Sequence, residues 1–289
     1  MIKITVKEFM KLLKKLSKGD IMESINDINN RSSLMDNKLI GNPNLINSTI
    51  TFTGKNNILF CEDNINIVNT SIQFHGDNSV VYLCFTKSNY VLDIHIFQNS
   101  LIYMGRDNKM SPVTHINVQE HQNLIIGDDC IIGSNCNIRT SDAHIVYDSN
   151  SKKRVNNSSS VFIGDHVWLA HQIYIEMGVR IGSGAILNNN SHIYKYSMLK
   201  SNNLYAGNPA RIVQKDVFFT KDYTGNFTEE NTLNVQDYNS RVFIFSEKPG
   251  ETLDFKKINQ MISSFSPEEK IDFIQKLFIQ NKTHDRFSL

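Results

Sequence analysis

The 289-residue chain is poor in cysteine, in tryptophan and in net charge. Its four cysteines, Cys61, Cys84, Cys130 and Cys136, form no Cys-x-x-Cys pair, which argues against a zinc knuckle or a dithiol redox centre. Thirty basic residues stand against 29 acidic ones, a net charge of +1, so no overall electrostatic pull points to nucleic acid. No stretch approaches the roughly 18 apolar residues of a membrane span. Lys3, Lys7, Lys11, Lys14 and Lys15 interrupt the apolar run that a secretory signal would need. These absences predict a cytoplasmic protein in a reducing compartment, with membrane contact at most peripheral. What the chain has in plenty is asparagine. Asparagine tolerates left-handed backbone and suits a fold made mostly of turns, although an AT-rich genome would raise its share as well.

The strongest pattern is a six-residue step. Ile163, Leu169, Ile175, Ile181, Leu187 and Ile193 occupy one place in successive hexads. Gly164, Ala170, Gly182 and Asn188 follow four of them, and Val167, Ile173, Val179, Ala185 and Ser191 fill the fifth place. Ile126, Ile132 and Ile138 keep the same step, with Cys130 and Cys136 in the small-residue position, where packing explains them better than chemistry. Six residues match neither an amphipathic helix nor a two-faced strand. They match a parallel β-helix in which each hexad is one short strand and a turn.

The predicted organisation has three parts. Residues 1–39 form an N-terminal helical segment, with Phe9, Leu12, Leu13 and Leu16 on one face of a helix over 5–18. Residues 40–215 form the β-helix, irregular over 40–125, with a polar loop protruding at 145–160. Residues 216–289 form a C-terminal extension. In it Ser266-Pro267-Glu268-Glu269 reads as an N-cap, a first-turn proline and a capping-box glutamate. Ile271, Ile274, Leu277 and Phe278 supply that helix with an apolar face, which either covers the last coil or meets another subunit.

Two segments carry a family resemblance. One runs from Ile126-Gly127-Asp128-Asp129-Cys130 to Arg139-Thr140-Ser141-Asp142-Ala143-His144. The other is Ile163-Gly164-Asp165-His166-Val167-Trp168, with Ala206-Gly207-Asn208-Pro209-Ala210-Arg211 closing the run. Together they resemble the hexapeptide-repeat O-acetyltransferases of bacterial sugars and surface glycans, above all those of sialate and polysialate. The resemblance implies a mainly β fold, a left-handed parallel β-helix, a homotrimer with active sites between subunits, acetyl-CoA as co-substrate and no metal. Periodicity alone would have suggested the opposite hand, since parallel crossovers are nearly always right-handed.

Acetyl transfer to a hydroxyl needs a base, an oxyanion donor and a groove for coenzyme A. The resemblance makes His144 the base, at the point where the hexads give way to the loop. Asp142 either orients that imidazole, since alternation in an extended segment would put both on one side, or makes a turn bond to the backbone. Trp168 is the only tryptophan and sits beside a turn, so it should face outward, lining the thioester end of the groove or a subunit contact. The resemblance places the oxyanion donor at a backbone N–H near His171. Ala170 and His171 depart from the family pattern there, and Asn188-Asn189-Asn190 stands where relatives carry Gly-Ala-Gly. Lys195 and Arg211 are candidates for the coenzyme A phosphates, with Gly207 and Pro209 turning against adenine. Arg139, Lys152 and Arg154, with Lys153, suit either an anionic acceptor such as sialic acid or a solvated loop.

Other acceptors of the same fold, an amino sugar, serine or an antibiotic, are the serious alternative. His166 and His171 also resemble the zinc-ligand spacing of γ-class carbonic anhydrases, but Cys130 stands where a third histidine belongs. A non-catalytic solenoid would explain the hexads and leave His144, Trp168 and Arg211 unexplained.

Overall fold

The computed structural model describes residues 22–289, so the predicted helix at 5–18 lies outside the described residues. The chain winds into a prism of three parallel sheets. Sheet A holds eight strands from Glu23–Ile25 to His192–Ile193, and sheet B eight from Lys38–Ile40 to Met198–Leu199. The third face opens with Asn44–Ile46 and Asn66–Val68. It continues as sheet C, six strands from Lys109–Met110 to Arg211–Gln214. Antiparallel strands close both ends, Glu23–Ile25 against Thr49–Phe52 and Arg211–Gln214 against Leu204–Ala206. Closure of this kind protects edges that would otherwise recruit other strands.

The core is a stack of single side chains. Ile50, Ile72, Ile94, Ile116, Ile138, Ile175 and Ile193 stand in register up sheet A, all buried. Each contributes about 1.5–3 kcal/mol by leaving water. The ladder shows that 40–125 is regular, contrary to the sequence reading. Its step is 22 residues from Ile50 to Ile138, then 37 across the loop, then 18. Hexads persist inside the wider coils, as in Met104, Met110 and Ile116, all packed into the core. The extra residues enter where the chain turns from sheet A to sheet B, so a six-residue scan loses phase once per coil.

Turn chemistry follows from this winding. Nine asparagines have positive φ, among them Asn56 and Asn78, whose side chains hydrogen-bond one above the other at 2.7 Å. At the corner between sheets B and C, Gly105, Gly127, Gly164 and Gly182 form a column. A Cβ on Gly164 would come within 2.6 Å of the Ser183 backbone nitrogen, so only glycine lets the coils approach. The residue after each of the last three glycines caps the coil before it: Asp128 Oδ1 accepts from Arg106 N at 2.8 Å, Asp165 Oδ1 from Asp128 N at 2.7 Å, and Ser183 Oγ from Asp165 N at 3.0 Å.

The helices of the C-terminal extension cover the outer face of sheet B, while Phe243, Phe245 and Leu289 bond the last coil at Asn202 and Ser201. Helices Phe255–Ile262 and Pro267–Ile274 lay Phe255, Ile258, Ile262, Ile271 and Ile274 on Tyr82, Tyr103, Ile125 and Phe162, joined by Phe278 from the following turn Gln275–Ile279. Sheet B is thus apolar on both sides, which is why Val80–Leu83, Leu101–Met104 and Asn123–Ile126 read as unbroken buried runs. Ser266 caps the second helix with Glu269 as its capping-box partner, as the sequence indicated. Among the described residues no helix is long and apolar enough to cross a membrane.

One buried arginine ties the extension down. Arg286, 3% exposed at its side chain, holds Asp165 through Nε and Nη2, both at 2.8 Å, and reaches Asp128 at 2.9 Å. It also donates to the carbonyls of Phe278 and Asn281. Burial pushes the Asp165 carboxyl up, and the guanidinium opposes that shift. Arg286→Met would leave the carboxylate buried without its partner. Urea denaturation should then show a loss of about 3–5 kcal/mol, whereas an unchanged midpoint would mean that the clasp carries no stability.

Candidate functional site

The predicted site residues fall into two groups on opposite edges of sheet A. The first lies where sheet A turns to sheet B. There the loop leaves Cys136–Arg139 as a hairpin, bridged antiparallel at Tyr147 and Arg154, with Lys152 exposed at its tip. His144 is exposed at the base of this hairpin, as expected. The alternation that would align it with Asp142 is broken by Ala143, whose φ is 64°. Asp142 instead sits 3.6 Å from both Arg139 and Lys195 and accepts from Asn156 Nδ2 at 3.1 Å.

Asn156 was not singled out in the sequence. It is buried, donates to the His144 carbonyl at 2.8 Å, and accepts from Val146 N at 2.8 Å, so one amide fixes both sides of the histidine. Arg139 is held by Glu176 at 3.2 Å and lies over the Tyr174 ring. Arg154 makes a bidentate pair with Glu120 at 2.9 and 2.7 Å. Of the cations assigned to an acceptor, Lys152 and Lys153 are uncommitted to a carboxylate among the described residues.

A groove runs from His144 down the outer face of sheet A. One part, about 230 Å³, is lined by Phe97, Gln119, Glu120, His144, Ile145 and Arg154. It shares Gln119, Ser141 and Ala143 with a second part of about 320 Å³, which adds Asp93, His95, His115, Asn117, Arg139 and Tyr174. His115 lies 3.0 Å from Asp93, and His95 bonds His75 at 2.8 Å. These histidines stand about one coil apart, a spacing of 20 residues and more that no local motif records.

The second group lies on sheet C and where it turns to sheet A. Trp168 opens Trp168–Leu169 and faces outward, 38% exposed. His171, Asn189, Gly207 and Pro209 follow in successive turns, and Arg211 extends exposed from the closing strand. The His171 backbone N–H, the expected oxyanion donor, already donates to Asn189 Oδ1 at 3.0 Å. Lys195 stands with Asp142 on the opposite edge, so it does not meet Arg211 within one chain.

The histidines of the zinc alternative point apart. His171 Nδ1 accepts from Ser134 N at 3.0 Å, whereas His166 is enclosed by the C-terminal extension. Among the described residues no cluster of three or more His, Cys, Asp or Glu side chains is arranged for a metal. Cys130 and Cys136 are buried, their thiols directed at the carbonyls of Gly164 and Ala170, and burial pushes the Cys136 thiol up to about 11.

Known proteins resemble the chain over part of its length. A polysialic acid O-acetyltransferase of Escherichia coli O1:K1 / APEC is 31% identical over 129 residues, 45% of this chain and 41% of that protein. The match therefore spans less than half of the relative's length. The crystal structure of the polySia-specific acetyltransferase NeuO superposes with a TM-score of 0.60 at 28% identity, covering 69% of this chain and 93% of NeuO. The chain is a hexapeptide-repeat protein similar to the polysialate O-acetyltransferases. The fold is the left-handed parallel β-helix that the resemblance implied. A probable macrolide acetyltransferase of Lysinibacillus sphaericus is 28% identical over 132 residues, 38% of this chain and 72% of that protein. No family model matches the chain.

The hairpin's attachment should respond to acid. Arg154 and Ser158 hold the Glu120 carboxyl at about 2, against an ordinary 4.5. A carboxyl depressed in the folded state contributes fully above its unfolded value, and the contribution fades as pH falls toward the folded one. Amide exchange in 145–160, corrected for its intrinsic pH dependence, should be slow at pH 5 and accelerate between about 4.5 and 2. Glu120→Gln should show the fast behaviour at neutral pH. A variant protected like the parent would dismiss this contact as the anchor.

Proposed function

We propose that the chain is an O-acetyltransferase that moves the acetyl group of acetyl-CoA to a hydroxyl of a surface-glycan sugar, with sialic acid as the preferred acceptor. One observation carries the reading. The residues such chemistry needs are all at the surface, yet they are divided between the two edges of sheet A, each set complete in what the other lacks. A second copy that brings its sheet C edge against the hairpin of the first joins them, and a closed trimer does so three times.

In that arrangement His144 takes the proton of the acceptor hydroxyl as its oxygen attacks the thioester carbonyl. The coenzyme A thiolate leaves, and the proton passes to it from the imidazole. Asn156 holds His144 at the groove. Asp142 neutralises Arg139 and Lys195 beside it. From the neighbouring copy, Trp168 walls the acyl end, and the His171 N–H receives the developing oxyanion once Asn189 turns aside. Arg211 meets the coenzyme A phosphates near the turn at Gly207 and Pro209. The groove with His95, His115 and Arg139 gives the glycan its seat, and Lys152 adds charge at the rim. The similarity to polysialate enzymes favours an anionic sugar.

Loss of the general base should lower kcat by roughly 10²–10⁴-fold in His144→Ala. His144→Ala and Trp168→Ala should each be strongly impaired alone, and regain turnover when co-assembled, because mixed trimers contain intact His144–Trp168 pairs. No recovery in co-expressed, affinity-separated hetero-oligomers would place both residues in one subunit's site. The macrolide relative supports a second reading, with an antibiotic hydroxyl as acceptor. Acetyl-CoA consumption against polysialic acid, sialic acid, amino sugars, serine and a macrolide separates the two.

A further inference from the structure

We propose that His166 and Phe219 are positioning residues for Trp168, which makes the C-terminal extension a working part of the active site. The inference rests on the reading of Trp168 as a site residue. His166 is 2% exposed and sits at the corner between sheets B and C with φ of 53°. Its Nδ1 lies 2.7 Å from Asp129 Oδ2, and its Nε2 donates to the Phe219 carbonyl at 2.9 Å. The imidazole is sandwiched between two rings of the extension, Phe219 at 4.1 Å and Phe243 at 4.2 Å, both within 9° of parallel. Asp129 also pairs with Lys221, two residues beyond Phe219. Burial works to raise the Asp129 carboxyl, and His166 and Lys221 together hold it below the ordinary carboxylate range.

The other edge of this assembly touches Trp168. The Phe219 ring, itself only 8% exposed, meets the indole at 5.6 Å and 51°. An outward tryptophan beside a turn has several rotamers open to it, and Phe219 blocks those that would swing toward the corner between sheets B and C. Anchoring the extension does not require this contact. Arg286 clasps Asp165 and Asp128, and the helices cover sheet B, without any part of the chain near Trp168. His166 therefore serves as a peg. It fixes Phe219 through ring and carbonyl together, and Phe219 fixes the indole.

Trp168 is the only tryptophan, so intrinsic emission of the full-length protein reports on this side chain alone. Phe219→Ala should shift its emission to the red and speed its anisotropy decay. With acetyl-CoA and polysialic acid, kcat should fall roughly 10- to 100-fold, the scale of a misplaced contact group, with less change in KM. Phe219→Tyr should restore both readouts, and Phe219→Leu, which keeps bulk, should lie between. Ile262→Ala loosens the cover of sheet B and should move neither. Parental emission and turnover in Phe219→Ala would overturn the proposal, as would an equal response from Ile262→Ala. Should Trp168→Ala itself turn over at the parental rate, the active-site reading of Trp168 fails. Loss of activity in Trp168→Ala with unchanged emission and rate in Phe219→Ala sinks only the positioning role.

Discussion

Vertical registration of the coils is the constraint on which everything else depends. Each strand finds its backbone partners in the coil above and below, so one inward side chain must stand over the next. The isoleucine column of sheet A records that requirement, and the glycine column at the corner between sheets B and C records how closely the coils approach. A residue added within a strand would throw a whole coil out of phase. Added at a corner, it only lengthens the turn. Nearly all variation in this chain is therefore expelled at one corner, first as the extra residues of the wide coils and then as the hairpin that carries His144.

The same rule decides where chemistry can sit. Inward positions belong to the core, and the outer face of sheet B belongs to the C-terminal helices. Sheet A, its two edges and part of sheet C are left. The aspartates of the Gly-Asp turns show how fully the remaining polar groups are used. Asp165 caps the coil before it and then receives Arg286 from the far end of the chain. Asp129 receives His166 and Lys221. The segment from Gly164 to Trp168 thus faces the extension for most of its length and presents only Trp168 to the outside.

This double use explains what was and was not legible. Aliphatic side chains at a step of six could be seen because each inward position must be filled by the same kind of residue wherever it falls. The Ser266 cap could be seen because capping is a local bond between neighbours in sequence. The wide coils escaped notice because their period resets at every sheet A corner. Asn156, Phe219 and the histidine groove left no local signal, since Asn156 acts across the width of the hairpin, the histidines across a coil, and Phe219 across 53 positions.

The solenoid and its turn residues were legible along the chain, because inward residues must be apolar and tight corners need glycine or asparagine, whereas His144 and Trp168 stood out through the family resemblance and not through a local rule. Only the tertiary structure decided that His144 and Trp168 stand on opposite edges of one sheet. It likewise decided that Asp142 serves Arg139 and Lys195, and that the last seventy residues brace both Gly-Asp motifs as well as meeting the last coil. Winding places residues 18, 22 or 37 positions apart side by side, and the returning extension adds contacts across 121 positions. No pattern along the chain encodes such neighbours until the coils close.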